Sequence, residues 1–188
     1  GFGWNAYDFV DFLASCKQHY WQILPLTTTS YGDSPYQSFS ARAGNPNFID
    51  FAELIEAGYL EQRDIDGVYL GSDPSNVDYG AIFGGRRQIL DRAAERFAAD
   101  KPADFDDFIQ ANEDWLIPYC EFMTVKEECG LKAFWEWPEE LRRRGEASSK
   151  VCAAHPERML YHQMTQYFFD RQWSRLKAYA NERDILII

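Results

Sequence analysis

The chain is short of positive charge, of histidine, and of any cysteine pattern that would cage a metal. Its 19 Lys and Arg stand against 30 Asp and Glu, a net charge of −11. That balance argues against nucleic acid or an anionic membrane as partner, because binding phosphates needs a basic face. Cys16, Cys120, Cys129 and Cys152 show no C-x-x-C spacing, and His19, His155 and His162 lie isolated along the chain. No zinc site can be read from them, and no metal role is expected. Free, buried thiols in a reducing cytosol are the expectation instead. No apolar run is long enough to span a bilayer, and the opening residues lack the flanks of a signal peptide. A cytoplasmic location is expected from those missing signals. An initiator methionine is missing too, since the chain opens on Gly1.

What remains is ample for a packed core. The 188 residues are 46% hydrophobic and 16% aromatic, which suits a well-filled interior with rings to spare for the surface. The most informative stretch is Tyr31-Gly-Asp-Ser-Pro-Tyr-Gln-Ser-Phe-Ser-Ala-Arg-Ala-Gly-Asn-Pro46. It is poor in aliphatic residues and dense in turn formers, hydroxyls and rings. It follows Tyr20 to Leu26, an apolar run that reads as a buried strand. A loop placed just after a strand is where parallel α/β folds put ligand chemistry. Flat rings and short polar groups suit a sugar. Taken alone, Gly-Asp-Ser-Pro and Asn-Pro are also ordinary turns.

Around this loop the pattern is mainly helical. A helix is expected from Asn5 to about Gln18, with Phe9, Val10, Leu13 and Ala14 on one face. Asp50 opens a short helix with Glu53 at its third position, and Gly58 closes it. Residues 61–78 read as an irregular excursion. Helices follow over 86–99, 104–111 and 115–128, with Arg86 and Arg87 solvating a helix start. Trp135 to Leu141 is a turn leading into a polar, basic patch over 142–150. The last helix runs from Pro156 to about Glu182, with Arg183-Asp184 as its break and Ile185 to Ile188 as an apolar strand. Two strands separated by a long helical insertion make an α/β chain, with segments 1–60, 61–155 and 156–188. Both ends read as cut, since the chain opens on Gly-Phe-Gly and stops inside an apolar strand, Ile185 to Ile188, that would be left as an unpaired edge.

Three strings, Trp21-Gln-Ile-Leu-Pro-Leu26, Tyr31-Gly-Asp-Ser-Pro-Tyr-Gln-Ser-Phe-Ser-Ala41 and Ala43-Gly-Asn-Pro46, closely resemble the amylomaltase family, the 4-alpha-glucanotransferases of glycoside hydrolase family 77. Gln166-Tyr-Phe-Phe169, Gln172-Trp173 and Leu176-Lys-Ala-Tyr-Ala-Asn181 match it again near the far end. The middle matches more loosely. The resemblance implies an incomplete TIM (β/α)8 barrel segment, from just after the first barrel strand to the third, carrying a large helical insertion. It implies transfer of α-1,4-glucan segments between glucans with retention, by protein carboxylates and without a metal or organic cofactor.

Retaining transfer needs two carboxyl groups about 5–5.5 Å apart. The resemblance places those acids on loops beyond Ile188, so no catalytic residue is expected in this chain. It implies that Tyr36 lines the subsite beside the scissile bond, with Ser34 and Gln37 offering hydrogen bonds to sugar hydroxyls. Asp33 is the only acid inside the loop, and reads either as a turn-capping side chain or as part of the substrate site. Tyr31 and Tyr79 match a second glucan site, with core packing as the other reading for Tyr79. The expected partners are α-1,4-glucans and maltooligosaccharides. A non-catalytic carbohydrate-binding or interaction module is the alternative, and hydrolysis in place of transfer is a third reading.

Overall fold

The first helix ends where its apolar stripe ends, and the chain then makes its first strand contact with residues near the other terminus. The computed structural model describes residues 1–29, 32–73 and 75–188. Helix α1 (Trp4–Ser15) leads to β1 (Tyr20–Trp21), which pairs in parallel with β2 (Leu186–Ile187) in the register Tyr20 to Leu186 and Trp21 to Ile187. Between them come α2 (Phe51–Glu56), α3 (Gln62–Ile65), α4 (Tyr79–Ala99), α5 (Phe105–Glu128), α6 (Glu146–Ala154) and α7 (Pro156–Asn181). The protein is therefore mostly helical with a small parallel sheet. No helix among the described residues is long and apolar enough to cross a membrane.

Two compact units divide the chain. One comprises Gly1–Ala93 with Thr165–Ile188, and the other Ala94–Met164. The first is built around aromatic packing. Phe2 meets Phe48, Phe169 and Trp173 at ring-centroid distances of 5.7, 5.1 and 5.7 Å, and Tyr59 meets Phe168 edge to face at 5.6 Å. Helix α1 docks on α7 through Tyr7 and Tyr179, whose hydroxyl donates to Asp11 at 2.9 Å. From Thr165 to Phe169 five consecutive residues are buried, so α7 is enclosed on every side there. Polar residues in that stretch need internal partners.

In the second unit, Phe97 packs on Phe105 and Phe122 on Trp137. Lys126 folds back beyond the end of α5 and donates to the carbonyls of Leu131 and Lys132 at 3.0 and 2.8 Å. Glu127 receives two bonds from Arg158, at 2.6 and 3.2 Å, and lies 3.1 Å from His162. Burial alone would push its pKa up, but those partners outweigh it and hold the carboxyl down at about 2.

Several expectations need correction. Of the expected strand Tyr20 to Leu26 only Tyr20 and Trp21 lie in the ladder with β2, followed by one further bond from the Ile23 amide to the Ile188 carbonyl at 2.9 Å. Tyr20 and Leu24 are exposed, and from Leu26 onward the backbone turns to a different partner. The first half of α4, hidden by Gly80, Gly84 and Gly85, is helical from Tyr79. The two helices expected over 104–128 are one, continuous through Pro118. The polar patch after Arg142 contains α6, and the excursion after Glu61 contains α3. Arg86 is half-buried, its guanidinium 4.0 Å above the Phe51 ring and bonded to the Ile49 carbonyl. Of the free thiols only Cys120 is buried, and Cys16 is exposed. His162 is isolated in sequence but not in space.

Candidate functional site

Residues 26–28 and 43–45 run antiparallel and close a loop between them. The Thr28 amide donates to the Ala43 carbonyl at 3.1 Å, and the Asn45 amide to the Leu26 carbonyl at 2.9 Å, on either side of a bridge between Thr27 and Gly44. Hydroxyls then stiffen the interior. Thr28 Oγ1 lies 3.1 Å from Ser38 Oγ, which donates to the Ser40 carbonyl at 2.6 Å. Ser40 Oγ accepts from the amides of Arg42 and Ala43, both at 3.1 Å. Short hydroxyl side chains of this kind replace the ladder bonds that an irregular backbone lacks.

The tip carries four of the residues singled out from the sequence. Gly32 and Asp33 both adopt positive φ, +83° and +55°. An aspartate tolerates that region better than most side chains. The Gln37 amide donates to the Ser34 carbonyl at 3.1 Å, and the Tyr36 amide to Ser34 Oγ at 3.3 Å. Asp33, Ser34, Tyr36 and Gln37 thus share one turn. Tyr36 is 73% exposed, so its ring is not used for packing. Tyr79 opens α4 and is exposed as well, and Phe83, one helical turn on, is exposed with it. Core packing does not describe Tyr79. Tyr31 lies outside the described residues.

Sequence reasoning missed what holds the base of this loop. Gln166 on α7 accepts from the Gly44 amide at 2.7 Å and donates to the Gly44 carbonyl at 3.0 Å. Gln172, on the same helix, holds Asp50, which lies beyond the loop, in the same way, at 2.7 and 3.1 Å. Asp50 in turn caps α2 by accepting from the Ala52 amide at 2.9 Å. A side chain at Gly44 has no room, because a Cβ there would lie 2.2 Å from the Phe169 ring. The one hint in sequence was a pair of glutamines on the apolar face of a long helix.

Elsewhere, a cavity of about 210 Å³ in the second unit has Phe122, Trp137, Arg142, Arg143 and Arg144 among its lining residues. It contains none of the residues predicted from sequence. No cluster of three or more His, Cys, Asp and Glu side chains suited to a metal occurs among the described residues.

Comparison with known proteins identifies the family of the chain. The sequence model of the 4-alpha-glucanotransferases, glycoside hydrolase family 77, matches residues 1–188. A 4-alpha-glucanotransferase of Streptococcus pneumoniae is 50% identical over 190 residues, covering 100% of this chain and 38% of the relative. That of Clostridium butyricum is 40% identical over 188 residues, covering 100% and 39%. An amylomaltase from Streptococcus agalactiae, solved in complex with acarbose, superposes with a TM-score of 0.92 at 46% identity, over 99% of this chain and 38% of that one. The chain thus spans less than two-fifths of the length of these relatives. It belongs to the 4-alpha-glucanotransferase family.

Proposed function

We propose that this chain supplies substrate-positioning residues to a 4-alpha-glucanotransferase, which cuts an α-1,4-glucan and passes the glycosyl group to the 4-hydroxyl of another. In this reading the parallel pair β1–β2 belongs to a (β/α)8 barrel, and the long helical stretch between is its insertion. The reaction retains configuration. One carboxylate attacks the anomeric carbon and a second protonates the leaving oxygen, then deprotonates the acceptor hydroxyl. Both carboxylates are assigned to parts of the protein outside these 188 residues.

The observation that carries the proposal is an exposed Tyr36 ring on a turn whose base is locked by hydrogen bonds. A phenol held beside the scissile bond offers its π face to developing positive charge on the sugar ring. Ser34 Oγ already accepts from the Tyr36 amide, which leaves its O–H to donate to a glucan hydroxyl. The exposed Gln37 amide provides a further donor and acceptor, and Asp33 shapes the turn. Tyr79, with Tyr31, forms a second glucan contact in the same reading. Four free thiols suit a reducing, cytoplasmic compartment.

The test is disproportionation of maltotriose by the intact protein carrying Tyr36→Phe or Tyr36→Ala. Because the ring is exposed, stability should stay within about 0.5 kcal/mol. Transfer should fall by roughly tenfold or more for the alanine variant, the order of one lost transition-state contact. Equal losses of stability and transfer would contradict the assignment.

A further inference from the structure

Gln166 and Gln172 lie six positions apart on α7, and so do their partners Gly44 and Asp50, each pair separated by 122 residues. Both glutamines are 2% exposed. Each bonds one backbone residue twice, as an adjacent β-strand would. Their targets differ, however. Asp50 caps α2, whereas Gly44 lies in the middle of the limb 43–45 that closes the sugar loop.

The backbone geometry explains why a glutamine is needed at position 166. Ala43 and Asn45 spend their carbonyl and amide on the limb 26–28. Alternate residues of an extended segment point their polar groups to opposite edges, so the amide and carbonyl of Gly44 face away from that limb. They face α7 and would be buried without partners. From Gly44 the constraint passes by direct bonds: Ala43 to Thr28, Thr28 to Ser38, Ser38 to Ser40. Ser38 is two residues from Tyr36.

We propose that Gln166 is a positioning residue for glucan binding and transfer: by fixing both the amide and the carbonyl of Gly44 it sets the register of the returning limb, and so the place of the Tyr36 turn. Gln172 makes the same bonds without this effect and acts as an internal control. The inference rests on the reading of the Tyr36 loop as a glucan contact.

The experiment compares Gln166→Met with Gln172→Met in the intact protein, with Gln166→Asn as a milder form should the first fold poorly. Methionine keeps the volume and deletes both bonds. Three readouts are taken: urea unfolding, kcat and KM for maltotriose per folded molecule, and hydrogen exchange of amides 32–42. Both methionine variants should lose similar stability. Only the Gln166 variants should speed exchange in the loop and lower kcat/KM, by about tenfold or more, as displacement of a contact group by a fraction of an ångström does. Gln172→Met should stay within about twofold of the parent in kcat/KM. Equal kinetics in the two methionine variants, or an unchanged loop exchange in Gln166→Met, would overturn the proposal. If the parent protein neither binds nor transfers maltotriose, the functional reading fails, while the exchange contrast still decides whether Gln166 sets the loop.

Discussion

Replacing Gly44 with alanine tests the packing under the loop most severely. The new Cβ would meet the Phe169 ring at Cδ1, Cε1 and Cγ, at 2.2, 2.3 and 2.4 Å. Carbon atoms pack at about 3.5–4 Å, so ring and backbone must separate by more than an ångström. The ring has little freedom, being buried edge to face against Phe2 at 5.1 Å. The backbone has little either, since Gln166 holds it at 2.7 and 3.0 Å. Overpacking of this kind costs about 1–3 kcal/mol, and weakening two hydrogen bonds adds about 1 kcal/mol. Gly44→Ala should therefore destabilise the intact protein by roughly 2–4 kcal/mol in urea unfolding. Phe169→Leu vacates the space the methyl needs, so the double variant should be more stable than the sum of the single effects, by about 1 kcal/mol or more. A Gly44→Ala protein within about 0.5 kcal/mol of the parent, or strict additivity with Phe169→Leu, would refute the reasoning.

Two further outcomes follow from the second unit and the thiols. The Glu127 carboxyl, held at about 2 against an ordinary 4.5, binds its proton more weakly folded than unfolded. Its contribution is thus complete above pH 4.5 and is lost as pH falls towards 2. With allowance for its water-facing part, that is about 2 kcal/mol. Urea titrations across this window should show the loss in the parent and a flatter acid limb in Glu127→Gln; parallel curves would count against the pairing with Arg158 and His162. A thiol reagent should label exposed Cys16 quickly in the native protein and leave Cys120 unreacted, since burial pushes that thiol's pKa up. Fast labelling located at Cys120 by peptide mapping would show its burial to be wrong, whereas the half-buried Cys129 and Cys152 should react at intermediate rates.

Local signals carried the sequence reading wherever the controlling physics was local. Asp50 caps α2 through its side chain, and Gly58 closes that helix at φ +81°. Pro156 starts α7, and Asp184 ends it in the left-handed region. The turn at Asp33 to Gln37 was legible from its residue types, as was its place just after β1. Reading failed where a distant contact overrode local preference. The pattern reads as helix only from residue 86, yet α4 begins at Tyr79, and Gly85 lies inside it where the close approach of Leu70 and the Tyr69 carbonyl leaves no room for a Cβ. The apolar run after Trp21 looked like continuous strand, yet Leu26 and Thr28 pair with Asn45 and Ala43 instead of β2.

The sequence by itself determined the family, the ends of α2, the start of α7 and the chemical character of the loop, because each is written in neighbouring residues. Only the tertiary structure decided which rings stay in solvent, that His162 and Arg158 converge on Glu127, and that Gln166 and Gln172 each hold a backbone residue 122 positions away. A glutamine on a helix looks the same in sequence whether water or a buried peptide group completes its hydrogen bonds. Folding supplies the partner, and with it the register of the loop.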